Sequence, residues 1–335
     1  MASYLISPIY AAFVWWFSTG AVLLLVGRSG RVDLLRVCCA TGLLVASLSS
    51  LALSANDTAV AGAYTAFTST ILLWGAQEIA FLAGWITGPR PQRCPAGAAG
   101  MRRLGLALQA ILYHELALVI CGTAILVLTW NGANQVGMWT FVALWVLRQS
   151  AKINLFLGVP VTNDELMPDA VRFLRSYFAR KSVSVFFPIS VTLATAVLVI
   201  MIQRIVEVAA TPFDVVGLTL VSTLFALGVV EHWFMLLPMP AMKLWGWGMR
   251  SGFSWEDITM ERKPEAKPSN APPNLVVLAN VRTEAAPAKS PAACARQRLE
   301  DQFRQRFLEQ RANSDLAPAL DVGAEPAATI KGRTS

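Results

Sequence analysis

Seven long apolar runs separated by polar connections occupy most of the first 240 residues of the chain. They fall at about 8–27, 34–54, 61–87, 104–129, 135–158, 185–206 and 213–240. Each is near or above the roughly 20 apolar residues that a membrane-spanning helix needs. The pattern predicts an all-α fold over residues 1–250: a polytopic membrane helix bundle of about seven transmembrane helices. Composition agrees, since 55% of residues are hydrophobic and only 15% charged, with a mean hydropathy of +0.51, far from the soluble average. No Lys or Arg precedes the first run, which is long enough to span, so it reads as a retained anchor rather than a cleaved signal.

The connections set the orientation. Arg28, Arg31 and Arg36 surround the first, Arg90, Arg93, Arg102 and Arg103 the third, and Arg172, Arg175, Arg180 and Lys181 the fifth. The second and fourth carry no basic residue, and the sixth has only Arg204, offset by Glu207 and Asp214. Basic connections stay cytoplasmic, so the amino terminus faces outward and the carboxyl tail the cytoplasm. The net charge of +7 follows from these clusters beside apolar runs and does not form the stripe of a nucleic-acid binder. The fifth connection places Val171, Leu174, Tyr177 and Phe178 on one helical face, with basic residues elsewhere. It reads either as an amphipathic helix on the membrane surface or as an ordinary loop helix.

Past Trp245 and Trp247 the composition turns to Pro, Ala, Lys and Glu. Residues 251–335 are expected to form a cytoplasmic tail, mostly disordered, in which Arg296–Arg311, with Leu299, Phe303 and Phe307 at four-residue spacing, reads either as a short docking helix or as a solvated transient one. The cysteines Cys38, Cys39, Cys94, Cys121 and Cys294 show no metal-ligand spacing.

Candidate chemistry lies in ionisable groups inside the apolar runs. Such groups cost at least a few kcal/mol in a hydrocarbon layer, so they face protein, a cavity or a partner. Both histidines of the chain belong to this set, each beside a glutamate: His114-Glu115 and Glu231-His232. Glu78 and Arg148 complete it. At about 1.5 Å per residue, Glu78, His114 and Arg148 lie about 15 Å and His232 about 12 Å from the cytoplasmic ends of their runs, which predicts one polar layer.

Three uses of that layer are open. Arg148 and Lys152 can neutralise Glu78, Glu115 or Glu231, with the histidines hydrogen-bonded to the carboxylates and the helices locked in register. His114 or His232 can ligate a metal or the metal of a tetrapyrrole. The carboxylates and imidazoles can also relay protons. A di-iron set is disfavoured, because neighbours in sequence point about 100° apart on a helix. No H-E-x-x-H motif, nucleophile triad or Gly-rich phosphate loop is present.

Longer strings carry a resemblance. Residues 109–160 hold Tyr113-His114-Glu115-Leu116-Ala117-Leu118, Asn134-Gln135-Val136-Gly137-Met138-Trp139-Thr140-Phe141 and Arg148-Gln149-Ser150-Ala151-Lys152-Ile153-Asn154-Leu155-Phe156-Leu157-Gly158-Val159-Pro160. Phe187-Pro188-Ile189-Ser190-Val191-Thr192-Leu193-Ala194-Thr195 and Glu231-His232-Trp233-Phe234, with Leu237-Pro238, follow in order. Over residues 1–250 the chain resembles the PuhE family of photosynthetic complex assembly proteins of purple phototrophic bacteria. The resemblance implies an integral protein of the bacterial inner (intracytoplasmic) membrane. Such a protein would promote assembly of the photosynthetic reaction centre and core antenna and modulate bacteriochlorophyll supply. Its implied partners are reaction-centre and light-harvesting core subunits or their assembly factors, besides membrane lipid.

Under that resemblance His114 or His232 would be the metal ligand for bacteriochlorophyll or a precursor, with Glu78, Glu115, Glu231 and Arg148 orienting it. Two alternatives stand beside it: a membrane metal-dependent oxidase or hydroxylase with a Glu/His site, and a cofactor-free scaffold.

Overall fold

The computed structural model describes residues 2–27, 33–162, 164, 167–207, 209–237 and 244–248. The expected tail and its short helix lie outside them. Among the described residues are seven long helices: α1 (Ala2–Val26), α2 (Asp33–Ser54), α3 (Val60–Leu82), α4 (Gly100–Thr129), α5 (Val136–Leu157), α6 (Phe186–Glu207) and α7 (Pro212–Phe234). Two 3-10 helices, Asp169–Tyr177 and Gly246–Gly248, complete the regular structure. Each long helix overlaps one apolar run.

Five of the seven, α1, α2, α4, α6 and α7, are long and apolar enough to cross a membrane. The other two occupy the middle. α3 packs against α1, α2, α4, α5 and α7, and α5 packs against α3, α4, α6 and α7. A helix surrounded by helices can carry polar side chains that a lipid-facing one rejects, as α3 does with Gln77 and Glu78 and α5 with Thr140 and Asn154, all buried. α6 is peripheral: only 11% of its apolar stretch is buried.

The core is a cluster of Leu51, Phe67, Leu73, Ile125, Phe141 and Leu220 with their neighbours. Small residues bring backbones together, as expected where helix association depends on close packing. A methyl group on Gly137 would stand 2.5 Å from a Leu51 methyl, and one on Gly228 would stand 2.4 Å from Leu147. Thr70 of α3 meets the same glycine, donating to the Gly137 carbonyl at 3.1 Å.

Local signals end the helices. α7 starts in a capping box, with the Thr211 hydroxyl accepting from the Asp214 amide at 3.1 Å and Pro212 at the first helical position. At one end of the bundle Asn134 gathers three carbonyls, donating to Ser54, Asp57 and Gly62 at 3.0–3.1 Å. This ties the second and fourth connections together.

At the other end two helices stop five or six residues before their apolar runs do. α3 ends at Leu82 in a Schellman turn: Gly84 has φ +86°, its amide donates to Phe81 O, and the Trp85 amide donates to Ala80 O. α7 ends at Phe234, four residues before Pro238, a residue type that cannot continue the helix ladder and disfavours helix before it. Loop backbone fills the space these helices leave. Thr87 O accepts from the amides of Tyr113 and His114, at 3.2 and 3.4 Å, so the segment after α3 folds back along α4.

The fifth connection also turns inward. Val171, Leu174 and Tyr177 repeat every three residues along the 3-10 helix and are buried against Phe81 and Ala110. Three of the four residues of the expected apolar face pack on α3 and α4, while Phe178 lies past the end of the 3-10 helix and is half-buried.

Candidate functional site

α5 organises the polar layer. Arg148 and Lys152 lie one turn apart on it and so share a face. Arg148 pairs with Glu78 of α3 at 3.2 Å, and Lys152 pairs with Glu115 of α4. Gln149 adds a second donor to Glu115 at 2.6 Å. On another face Ser150 meets Nε2 of His232 on α7 at 2.8 Å, and Asn154 donates to Ser190 of α6 at 3.1 Å. One seven-residue polar stretch thus links four helices.

The histidines differ sharply. His232 is buried and saturated: Nδ1 is 2.7 Å from the Gly228 carbonyl, one turn back, and Nε2 faces Ser150. A carbonyl only accepts, so Nδ1 carries the hydrogen and Nε2 accepts from the serine hydroxyl. No nitrogen is left over for a metal. Because α7 ends at Phe234, His232 lies about 3 Å from its helix end rather than about 12 Å.

His114 is fully buried with neither ring nitrogen hydrogen-bonded among the described residues. Its ring stacks on Phe81, with centroids 4.2 Å apart. Glu78 lies one turn before Phe81 on α3, and its Oε1 is likewise buried without a partner. Neither histidine bonds to a carboxylate, contrary to the register-lock expectation, whereas both of its cations do pair.

The carboxylates are spread rather than gathered. Glu78 turns to Arg148, Glu115 to Lys152 and Gln149, and Glu231 lies near Arg148 and Trp15. Among the described residues no three His, Cys, Asp or Glu are grouped to hold a metal. His114 and Glu115 point to different helices, as their adjacency on α4 requires.

Several participants were not singled out from sequence. Phe81 and Thr87 position His114 by stacking and through its backbone amide. The Trp15 ring packs on Trp245 with centroids 5.5 Å apart, and Trp16 Nε1 donates to Leu244 O at 2.8 Å. Gln77 donates to Cys121 Sγ at 3.1 Å across α3 and α4. Phe81 stands one turn from Glu78, so the helical face carrying the glutamate was the available signal for it.

Beyond the helix ends a second polar group closes the fifth connection. Asp164 accepts from Thr162 and Arg180 at 2.5 Å and pairs with Arg175 at 3.0 Å. Burial pushes its carboxyl up, but the Thr162 and Arg180 hydrogen bonds outweigh that and hold it below the usual aspartate value. Burial raises the Tyr177 phenol, partly offset by Arg90.

A protein of Rhodobacter capsulatus described as an uncharacterized 30.4 kDa protein in the puhA 5′ region is 40% identical over 243 residues, covering 71% of this chain and 88% of its own length. No solved structure matches. The DUF3623 profile, described as a protein of unknown function, matches residues 1–256, and the chain belongs to that family.

Proposed function

We propose that this chain is a seven-span protein of the bacterial inner membrane that acts as an assembly factor for the photosynthetic reaction centre and core antenna. The observation that carries the reading is the 40% identity to the Rhodobacter capsulatus protein in the puhA 5′ region, a photosynthesis gene region. The five helices long and apolar enough to cross a membrane, packed with two inner ones, support the membrane setting. So does the charge asymmetry: the connections with Arg90, Arg93, Arg102, Arg103, Arg172, Arg175, Arg180 and Lys181 share one end, which the positive-inside rule makes cytoplasmic. The polar layer supports a scaffold, because its cations cross-link α5 to α3 and α4.

Deleting the gene in a phototrophic host tests this reading. The absorbance of assembled reaction centre and core antenna should fall, and tagged protein should recover their subunits or assembly factors. Normal complexes in the deletion strain would overturn it.

A tetrapyrrole does not fit the layer as arranged. His232 has both nitrogens engaged, and His114 is wholly enclosed with Phe81 against its ring face. One observation favours pigment ligation as a second reading, namely the two unpartnered nitrogens of His114. It requires the packing that encloses the His114 ring to open. Protein purified from pigment-making cells would then carry visible absorbance that His114→Ala abolishes and His232→Ala leaves in place. A colourless folded protein would sink that reading.

A further inference from the structure

We propose that the basic end of the bundle is a docking face for acidic phospholipid headgroups. The proposal rests on the membrane reading above and adds a ligand to it. Eight described cations gather there from two connections that the fold brings together: Arg90, Arg93, Arg102, Arg103, Arg172, Arg175, Arg180 and Lys181. Arg103 proves the juxtaposition, donating to Phe156 O at the end of α5 and to Tyr177 O on the 3-10 helix.

The described carboxylates of these connections satisfy only part of the charge. Asp164 serves Arg175 and Arg180, and Asp169 serves Arg172. Five cations remain without a carboxylate partner among the described residues. Two of these are held rigidly. Arg90 donates to the Tyr177 hydroxyl at 2.5 Å and Arg103 to the same residue's carbonyl, while Tyr177 is anchored in the apolar cluster beneath. Hydrogen bonds to neutral oxygens orient a guanidinium but leave its charge uncompensated. Arg103 is further fixed by stacking on the Phe156 ring at 4.3 Å, and the planar fork of a guanidinium suits phosphate oxygens.

The other three, Arg93, Arg102 and Lys181, are exposed at the rim. Met101 and Val185, each 79% exposed, stand close in sequence to Arg102 and Lys181. Apolar side chains among cations at the end of apolar helices match the boundary between acyl chains and headgroups. Among the described residues the opposite end has the reverse balance, with Asp57, Glu207 and Asp214 against Arg204. The asymmetry therefore selects one leaflet.

The experiment uses the full chain in phosphatidylcholine vesicles with and without a minority of phosphatidylglycerol, followed by thermal unfolding. The midpoint should rise by several degrees with the acidic lipid, and the rise should shrink as ionic strength increases. The triple variant Arg93→Gln, Arg102→Gln, Lys181→Gln should lose most of the rise while unfolding normally in phosphatidylcholine alone. Equal midpoints in the two lipids would overturn the proposal, as would a salt-independent rise or a full rise in the variant. Inorganic phosphate that stabilises detergent-solubilised protein as strongly as the lipid would also overturn it, in favour of a free-anion site. Failure of the chain to enter vesicles would overturn the membrane reading and the docking face with it.

Discussion

Ser150 on α5 and His232 on α7 share a 2.8 Å hydrogen bond whose direction is fixed from the far side of the ring, where Nδ1 donates to Gly228 O at 2.7 Å. The imidazole is thereby a structural clasp between two helices. Ser150→Ala removes the donor and leaves a buried Nε2 unsatisfied, which costs about 1–3 kcal/mol. The variant should unfold at a lower temperature than wild type in the same detergent, with unchanged bound pigment or metal. Loss of a bound chromophore without loss of stability would contradict the clasp.

Arg148 and Glu78 join α5 to α3 at a different point. The Arg148 side chain is 42% exposed and that of Glu78 is 11% exposed, so the pair lies between a surface bridge and a fully buried one. Arg148→Met should therefore cost about 2 kcal/mol, between the two extremes. Adding Glu78→Gln should recover part of the loss, because it removes the stranded carboxylate. A double-mutant cycle of unfolding free energies gives the coupling, and strict additivity would show that the pair is idle.

Hydropathy located all seven long helices because each apolar run is long enough that a few isolated ionisable groups do not break it. The same signal overran at Leu82 and Phe234, since Trp85, Ile86, Leu236 and Leu237 are apolar whether they lie in a helix or in a packed loop. Gly84 and Pro238 carried the stop signals, and periodicity does not weigh them. For the polar layer, the one-turn spacing of Arg148 and Lys152 was readable, and so was their use as carboxylate partners. Which carboxylate each would take depends on which helices touch, and a linear pattern does not encode that. His114 and His232 looked equivalent beside their glutamates. Only the fold shows that one is closed by Ser150 and Gly228 while the other is enclosed by Phe81 with its nitrogens free.

The Asp164 group gives a pH dependence that can be signed. Its carboxyl is held below the usual value of 3.8, so folding binds the ionised form better. That stabilisation is fully present above the unfolded-state value and is lost as pH falls through the lower folded value. The melting temperature should stay flat in this respect through neutral pH and decline only under acid conditions below about pH 4. Asp164→Asn should flatten that acid limb and lower stability at neutral pH. An acid limb that survives unchanged in the variant would assign the titration to another group.

Gly88 tests how the loop after α3 holds α4. A methyl group there would stand 2.1 Å from Gln109 O and 2.8 Å from the carbonyl carbon of Ala110, both rigid helix backbone. The loop would have to retreat, and its neighbour Thr87 would lose its bonds to the Tyr113 and His114 amides. Gly88→Ala should therefore destabilise by about 1–3 kcal/mol, the range for overpacking, and speed hydrogen exchange at those two amides. Gly105 is the matched control: it sits within α4 with nothing inside 4 Å of an added methyl. Gly105→Ala should stabilise the helix by about 0.5–1 kcal/mol through propensity alone. If both substitutions behaved alike, the loop would not be seated on α4, and the backbone support of His114 would be lost with it.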